Sequence, residues 1–246
     1  MKRVKRRIFA GAICEQEVYS VADDILVRQA RPPRPRFKND EERAIHKDKI
    51  SERKFILLIN ENFSVTSFYT TFTFDHDNEC HTVEECRTLM KKYIRRLKYK
   101  YPDAVIASVY GQGKTTSRFH VHMIIEGIPE EFIIKQWTYG EVKDCQHLRE
   151  HNWYKGIDHG RDYTALAAYL FRHWKPEYGG HRWFITRNAR QPEIETPREV
   201  KREYNDQRAP RPPKGYILIE SNGTPYGYWI FRYVKRPDKE NRRKRE

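Results

Sequence analysis

The sequence predicts an α+β protein built on an antiparallel sheet, and three observations predict it. Between residues 63 and 174 the segments run strand, helix, strand, strand, helix instead of alternating strictly as parallel crossover units. The middle strands, 104–109 and 118–125, are joined only by the loop 111–117, a connection that suits antiparallel neighbours. Near the C-terminus Asn222-Gly223 lies between two strand-like stretches, 216–220 and 226–234, and signals a hairpin.

Residues 1–60 are charged and uneven and read as a basic arm or cap. Within them Arg31 to Arg36 is a proline-rich breaker, and Asp40 to Arg53 reads as a solvated helix. Phe68, Thr70, Phe72 and Phe74 then alternate with Tyr69, Thr71, Thr73 and Asp75, which is strand patterning. Thr82 and Glu85 form a capping-box pattern. The helix they open carries Val83, Cys86, Leu89, Met90, Tyr93 and Leu97 on one stripe and ends before Pro102. Pro129 opens a short helix with Phe132, Ile133 and Trp137, and residues 138–160 read as irregular. A helix over 163–174, a short strand over 182–186 and a polar linker over 190–213 precede the terminal hairpin and the basic tail Arg242 to Arg245. The implied organisation is an arm over 1–60, a central domain over 61–190, and a linker with hairpin and tail over 191–246.

The net charge is +14 over 246 residues, with 16 Tyr. Such a surplus points to a polyanionic partner, because basic side chains on phosphates release counterions. No apolar run reaches the ~20 residues needed to span a bilayer. The basic start is followed by too short an apolar run for a signal peptide. The four cysteines form no CxxC pair and read as reduced thiols of a cytoplasmic protein. A zinc site around Asp75, His76, Cys80, His81 and Cys86 lacks the usual spacings.

The sharpest feature is Arg118-Phe119-His120-Val121-His122-Met123-Ile124-Ile125. Side chains alternate along a strand, so His120 and His122 share one face while Phe119, Val121, Met123 and Ile125 take the other. Two imidazoles on one face make a metal platform. The helix 163–174 supplies two candidate nucleophiles. Tyr163 falls in the middle of its apolar stripe and suits a core; Tyr169 falls at the edge, beside Arg172 and His173, and is the preferred nucleophile. Arg172, Lys175, Lys114 and Arg118 are candidate contacts to a DNA backbone. Gly111 to Thr116 resembles the end of a phosphate-binding P-loop. However, Ser108 stands where that motif needs glycine, and a strand follows where it needs a helix, so no nucleotide cofactor is expected.

The strand Tyr69 to Phe74, the His120-Val121-His122 strand and the helical Tyr169, in that order, resemble the three motifs of HUH endonucleases, chiefly rolling-circle replication initiators of plasmids, phages and mobile elements. The likeness covers about residues 63–190. It implies a ferredoxin-like fold with the two His on a central strand and helices packed on the sheet. It also implies a divalent Mg2+ or Mn2+ and a tyrosine that cuts single-stranded origin DNA, leaving a 5′-phosphotyrosine and a free 3′-OH. Many relatives place a carboxylate before the His pair as third ligand; here Gln112 stands near that place, with Glu126 as the other candidate. Where some initiators have a second tyrosine, this chain has His173. With no helicase motif, unwinding and synthesis would need a host helicase and polymerase. Relaxases and transposases share the chemistry. A non-catalytic binder of single-stranded nucleic acid would explain the charge and the aromatics but not the paired His.

Overall fold

A computed structural model describes residues 1–33, 35–113, 118–173, 182–224 and 227–237. In chain order its elements are β1 (Lys2–Ala10), β2 (Ile13–Val21), a 3-10 turn (Val27–Gln29), α1 (Asp40–Asn62), β3 (Phe68–Thr73), α2 (Val83–Lys100), β4 (Val105–Gln112), β5 (Phe119–Glu126), α3 (Glu130–Gln136), β6 (Val142–His147), β7 (Trp153–Tyr154), β8 (Ile157–Asp158), α4 (Thr164–His173), β9 (Trp183–Ile185), β10 (Glu193–Ile194), β11 (Arg198–Glu199), β12 (Tyr216–Gly223) and β13 (Trp229–Lys235). The fold is α+β with antiparallel sheets. The chain divides into two compact units. One holds Met1–Arg53, His151–Asp162 and Gln191–Glu246, and the other holds Lys54–Glu150 and Tyr163–Arg190.

The second unit contains the candidate site. Its sheet has the order β6-β3-β5-β4-β9, so the strand with the His pair is the middle one of five. Alternation along β3 and β5 sends Phe68, Phe72, Phe119, Val121, Met123 and Ile125 into one core. The apolar stripe of α2, Cys86, Met90, Tyr93 and Leu97, closes that core. The capping box of α2 is formed: Glu85 N–H donates to Thr82 Oγ1 at 3.3 Å, and Thr82 N–H donates back to the Glu85 carboxylate at 3.1 Å. Residues 138–160, read as irregular, supply the edge strand β6. Its polar Lys143, Asp144 and Gln146 hide the alternation, which works at an edge exposed to solvent.

In the first unit, the stretch read as a basic arm or cap contributes two long strands, β1 and β2, to a sheet. β1 and β2 pair over their full lengths, and β13 pairs β2, giving the order β10-β1-β2-β13-β12 with β11 also on β1. The two chain ends therefore form one sheet. Charge concealed this, because the acids of β2 are neutralised by basic side chains from β1, α1 and β13. Arg6 stands opposite Glu17, and Arg232 of β13 opposite Glu15.

The terminal hairpin turns later than expected. Asn222 and Gly223 remain inside β12, opposite Ile230 and Trp229, and the reversal closes through Thr224 N–H on Tyr228 O at 2.8 Å. Gly223 is needed there for space: a Cβ would lie 2.6 Å from the Trp229 ring that covers it. No helix among the described residues is long and apolar enough to cross a membrane.

Candidate metal centre and nucleophile

The central position of β5 decides the environment of its His pair. Cross-strand partners share a face, and on that face His120 meets Thr73 and Gly111 while His122 meets Thr71 and Val109. These neighbours are small, so the surface above them is open to α4. Helix α4 buries Ala167, Leu170 and Phe171, and its last residue, His173, comes down onto the His pair.

The three imidazoles meet edge to face, with ring centroids 4.9, 5.1 and 4.7 Å apart. One nitrogen from each lies within 4.8 Å of the others, and His120 Nε2 is 2.9 Å from His173 Nε2. Among the described residues this is the one group of three His, Cys, Asp or Glu placed to hold a metal. No such group forms around Cys80 and Cys86, whose thiols are buried.

The donor chemistry fits a cation. His122 is 6% exposed, and its Nε2 is buried with no hydrogen-bond partner among the described residues. Leaving such an atom unpaired costs ~1–3 kcal/mol, which a bound cation would offset. Its Nδ1 is 2.8 Å from the Tyr69 hydroxyl and 3.1 Å from Thr71 Oγ1. Those two oxygens can accept Nδ1–H, which leaves the Nε2 lone pair facing the cluster. The Tyr69 ring also stacks on the His122 ring, with centroids 5.8 Å apart. Burial, then the neighbouring imidazoles His120 and His173, push His122 down to about 3, so it is neutral near pH 7. Burial and then His173 likewise lower His120.

Gly111 makes the arrangement possible. A Cβ on it would come within 3.0 Å of both His120 and His173. Its backbone is ordinary strand, so its role is to leave room rather than to turn the chain.

Tyr169 lies one turn before His173 on the same face of α4. It is 55% exposed, and its ring centroid is 5.3 Å from that of His173. Tyr163, the fallback nucleophile, is buried, and its backbone N–H donates to Asn60 Oδ1 at 2.9 Å.

Neither expected third ligand is in the cluster. Gln112 pairs with Phe119, which places it on the opposite, core-side face of the sheet at the end of β4. Glu126 shares the His face but ends the strand, where its carboxylate accepts hydrogen bonds from Thr66 Oγ1 at 2.9 Å and from Ser67 and Ser64. The third imidazole is His173. Its spacing of four from Tyr169 was the available signal, but a helix crossing a sheet is not legible in a linear pattern. Gly111, Tyr69 and Thr71 were missed because the strand pairings that set them beside the His pair join residues far apart in sequence.

Of the candidate DNA contacts, Arg172 is exposed on α4, three residues after Tyr169. Arg118 stands just before β5 and pairs with Glu79 at 2.9 Å while staying largely exposed. Lys114 and Lys175 lie outside the described residues. No protein-family model, curated protein or solved structure matches the chain.

Proposed function

We propose that the chain is a metal-dependent DNA strand transferase of the HUH type, with a ferredoxin-like nuclease unit, that nicks single-stranded origin DNA to start rolling-circle replication. The observation that carries this reading is the exposed Tyr169 phenol set beside a three-imidazole cluster on the middle strand of the sheet. Nothing in a mere binding module calls for that juxtaposition. The strong positive charge supports a polyanionic substrate.

His120, His122 and His173 would hold the divalent cation, which when bound draws charge from the scissile phosphate. Three nitrogen donors suit a transition ion better than magnesium, so Mn2+ is favoured over Mg2+. The Tyr169 oxygen attacks phosphorus, forming the phosphotyrosine bond as the P–O3′ bond breaks. Its proton passes to solvent, which reaches the exposed phenol, and the departing 3′ oxygen takes up a proton to become the free hydroxyl. Arg172, one turn from the phenol, is placed to hold a flanking phosphate. Unwinding and synthesis fall to a host helicase and polymerase.

The test incubates wild type and Tyr169→Phe with a random single-stranded DNA library and manganese, followed by denaturation. Protein-linked DNA is expected in wild type and absent in the variant, and sequencing the adducts gives the nick site. Adducts in both would move the nucleophile. Adducts in neither would remove the enzymatic reading.

A further inference from the structure

The excursion His151–Asp162 is compact and displays large aromatic rings to solvent. β7 and β8 form a two-residue hairpin, Trp153 opposite Asp158 and Tyr154 opposite Ile157. Lys155 (φ 49) and Gly156 (φ 75) both take the left-handed backbone that a type I′ turn needs. An isolated two-stranded ribbon is marginal in water, and this one is fastened at its base. His151 Nδ1 lies 2.7 Å from Asp158 Oδ2. Asn152 N–H and Nδ2 donate to Gly160 O at 3.0 and 2.7 Å, and Gly160 N–H donates to Asp158 Oδ1 at 2.8 Å.

A braced ribbon of this kind buries little of its own. Trp153 is 65% exposed, Tyr154 57%. Adjacent strand residues point to opposite faces, so the hairpin carries one large ring on each side. The charge at the tip is positive: Lys155 Nζ sits over the Tyr154 ring, 5.4 Å from its centroid. The carboxylates of the excursion are occupied, Asp158 by His151 and Asp162 by His159 at 3.3 Å.

Two rings more than half exposed, one of them with His159 at its edge and Lys155 over it, and no free acid among them, match unpaired bases on a phosphate backbone. Base stacking tolerates any sequence, and the lysine can meet a phosphate. We infer that the β7–β8 hairpin is a second nucleic-acid contact, in which Trp153 and Tyr154 stack on unpaired bases of the DNA strand. The inference rests on the DNA-processing reading above and adds to it a surface outside the metal centre. In the sequence this hairpin immediately precedes the helix that carries Tyr169.

The test uses the full chain and a fluorescein-labelled oligothymidine, read by anisotropy over a range of salt. Trp153→Ala/Tyr154→Ala should bind roughly 10-fold or more weaker per ring removed. Its salt slope should be unchanged, because no phosphate contact is lost. Trp153→Phe/Tyr154→Phe should retain most of the affinity, which separates stacking from misfolding. A duplex of the same length should bind both variants like wild type. Unchanged affinity for the single strand, or an equal loss on duplex, would overturn the inference. So would a wild-type dimer that the alanine pair converts to monomer in sedimentation, since the rings would then join two copies of the chain. Manganese-dependent adduct formation by wild type on the selected nick-site oligonucleotide is measured in parallel. Adducts without any hairpin effect would sink this inference alone, and neither binding nor adducts would sink both readings.

Discussion

Strands β2 and β5 carry the same local pattern and put it to opposite uses. Each lies inside an antiparallel sheet, and each presents two polar side chains at i and i+2 on one face: Glu15 and Glu17 on β2, His120 and His122 on β5. Glu15 and Glu17 are fully buried and saturated. Glu15 accepts from Arg53 at 2.6 Å and from Arg232 at 2.8 Å; Glu17 accepts from Arg53 at 2.7 Å, from the Tyr228 hydroxyl at 2.7 Å and from Arg6. His122 is almost as buried, yet one of its nitrogens is left with no partner among the described residues. Burial of polar groups therefore does not mark a candidate site by itself; here the open lone pair lies beside two further imidazoles, His120 and His173.

The largest expected effect tests the saturated side. Glu17→Ala leaves Arg6 and Arg53 without a shared counter-charge, and breaking a buried pair from one side costs ~3–5 kcal/mol. Denaturant unfolding followed by circular dichroism should show it. Burial acts to raise the Glu17 carboxyl, but Arg53, Arg6 and the Tyr228 hydroxyl hold it below the ordinary 4.5. Its contribution to stability is therefore complete above that value and is lost as pH falls through the lowered one. Glu17→Gln should accordingly flatten the acid limb of the stability curve. An acid limb unchanged by this substitution would mean the network contributes nothing.

His122→Ala should do the reverse. Removing an unpaired buried nitrogen offsets much of the cavity left behind, so stability should stay within about 1 kcal/mol of wild type. Affinity for manganese, by titration calorimetry, should fall more than about 100-fold, beyond what loss of an outer partner costs. A variant that is strongly destabilised but still binds metal would make His122 a core residue like Glu17.

What was legible in the sequence follows the same division. The His pair, the alternation of β3 and the cap of α2 depend on neighbours within a few residues, and the structure has them where the pattern put them. The exposed Tyr169 and buried Tyr163 also agree with the helical stripe. The sheet formed by the two ends was hidden because its charges find their partners far away. Arg6 meets Glu17 across a hairpin, and Glu15 meets Arg232 from the other end of the chain. Read locally, such residues look like solvated surface. His173 and Gly111 were hidden by distance too, since only the packing of α4 over β4 and β5 brings them together.

Gly111→Ala sharpens the comparison by supplying a methyl group where the cluster needs space. The added carbon cannot coexist with His120 and His173 as they stand, so one imidazole must move. Manganese affinity should fall between about 10- and 100-fold, on the scale set by disturbing ligand orientation. The fold should persist, because alanine is compatible with a strand backbone. An alanine variant with wild-type affinity would show that the imidazoles do not act together as one site.

The smallest expected effect probes the side of His122 that is satisfied. Tyr69→Phe keeps the stacked ring and removes only the hydroxyl at 2.8 Å from Nδ1. Thr71 Oγ1, at 3.1 Å, remains to take Nδ1–H and hold the tautomer, so the loss in manganese affinity should be about 10-fold, the low end for an outer partner. Thr71→Val alone should cost no more, because Tyr69 then serves. Removing both hydroxyls should cost more than the two single losses combined, since each now covers for the other. Additive losses would mean that the hydroxyls act separately. No loss in the double variant would mean that His122 is oriented by its burial alone, and the parallel with the saturated carboxylates of β2 would fail at the one nitrogen where the two strands are alike.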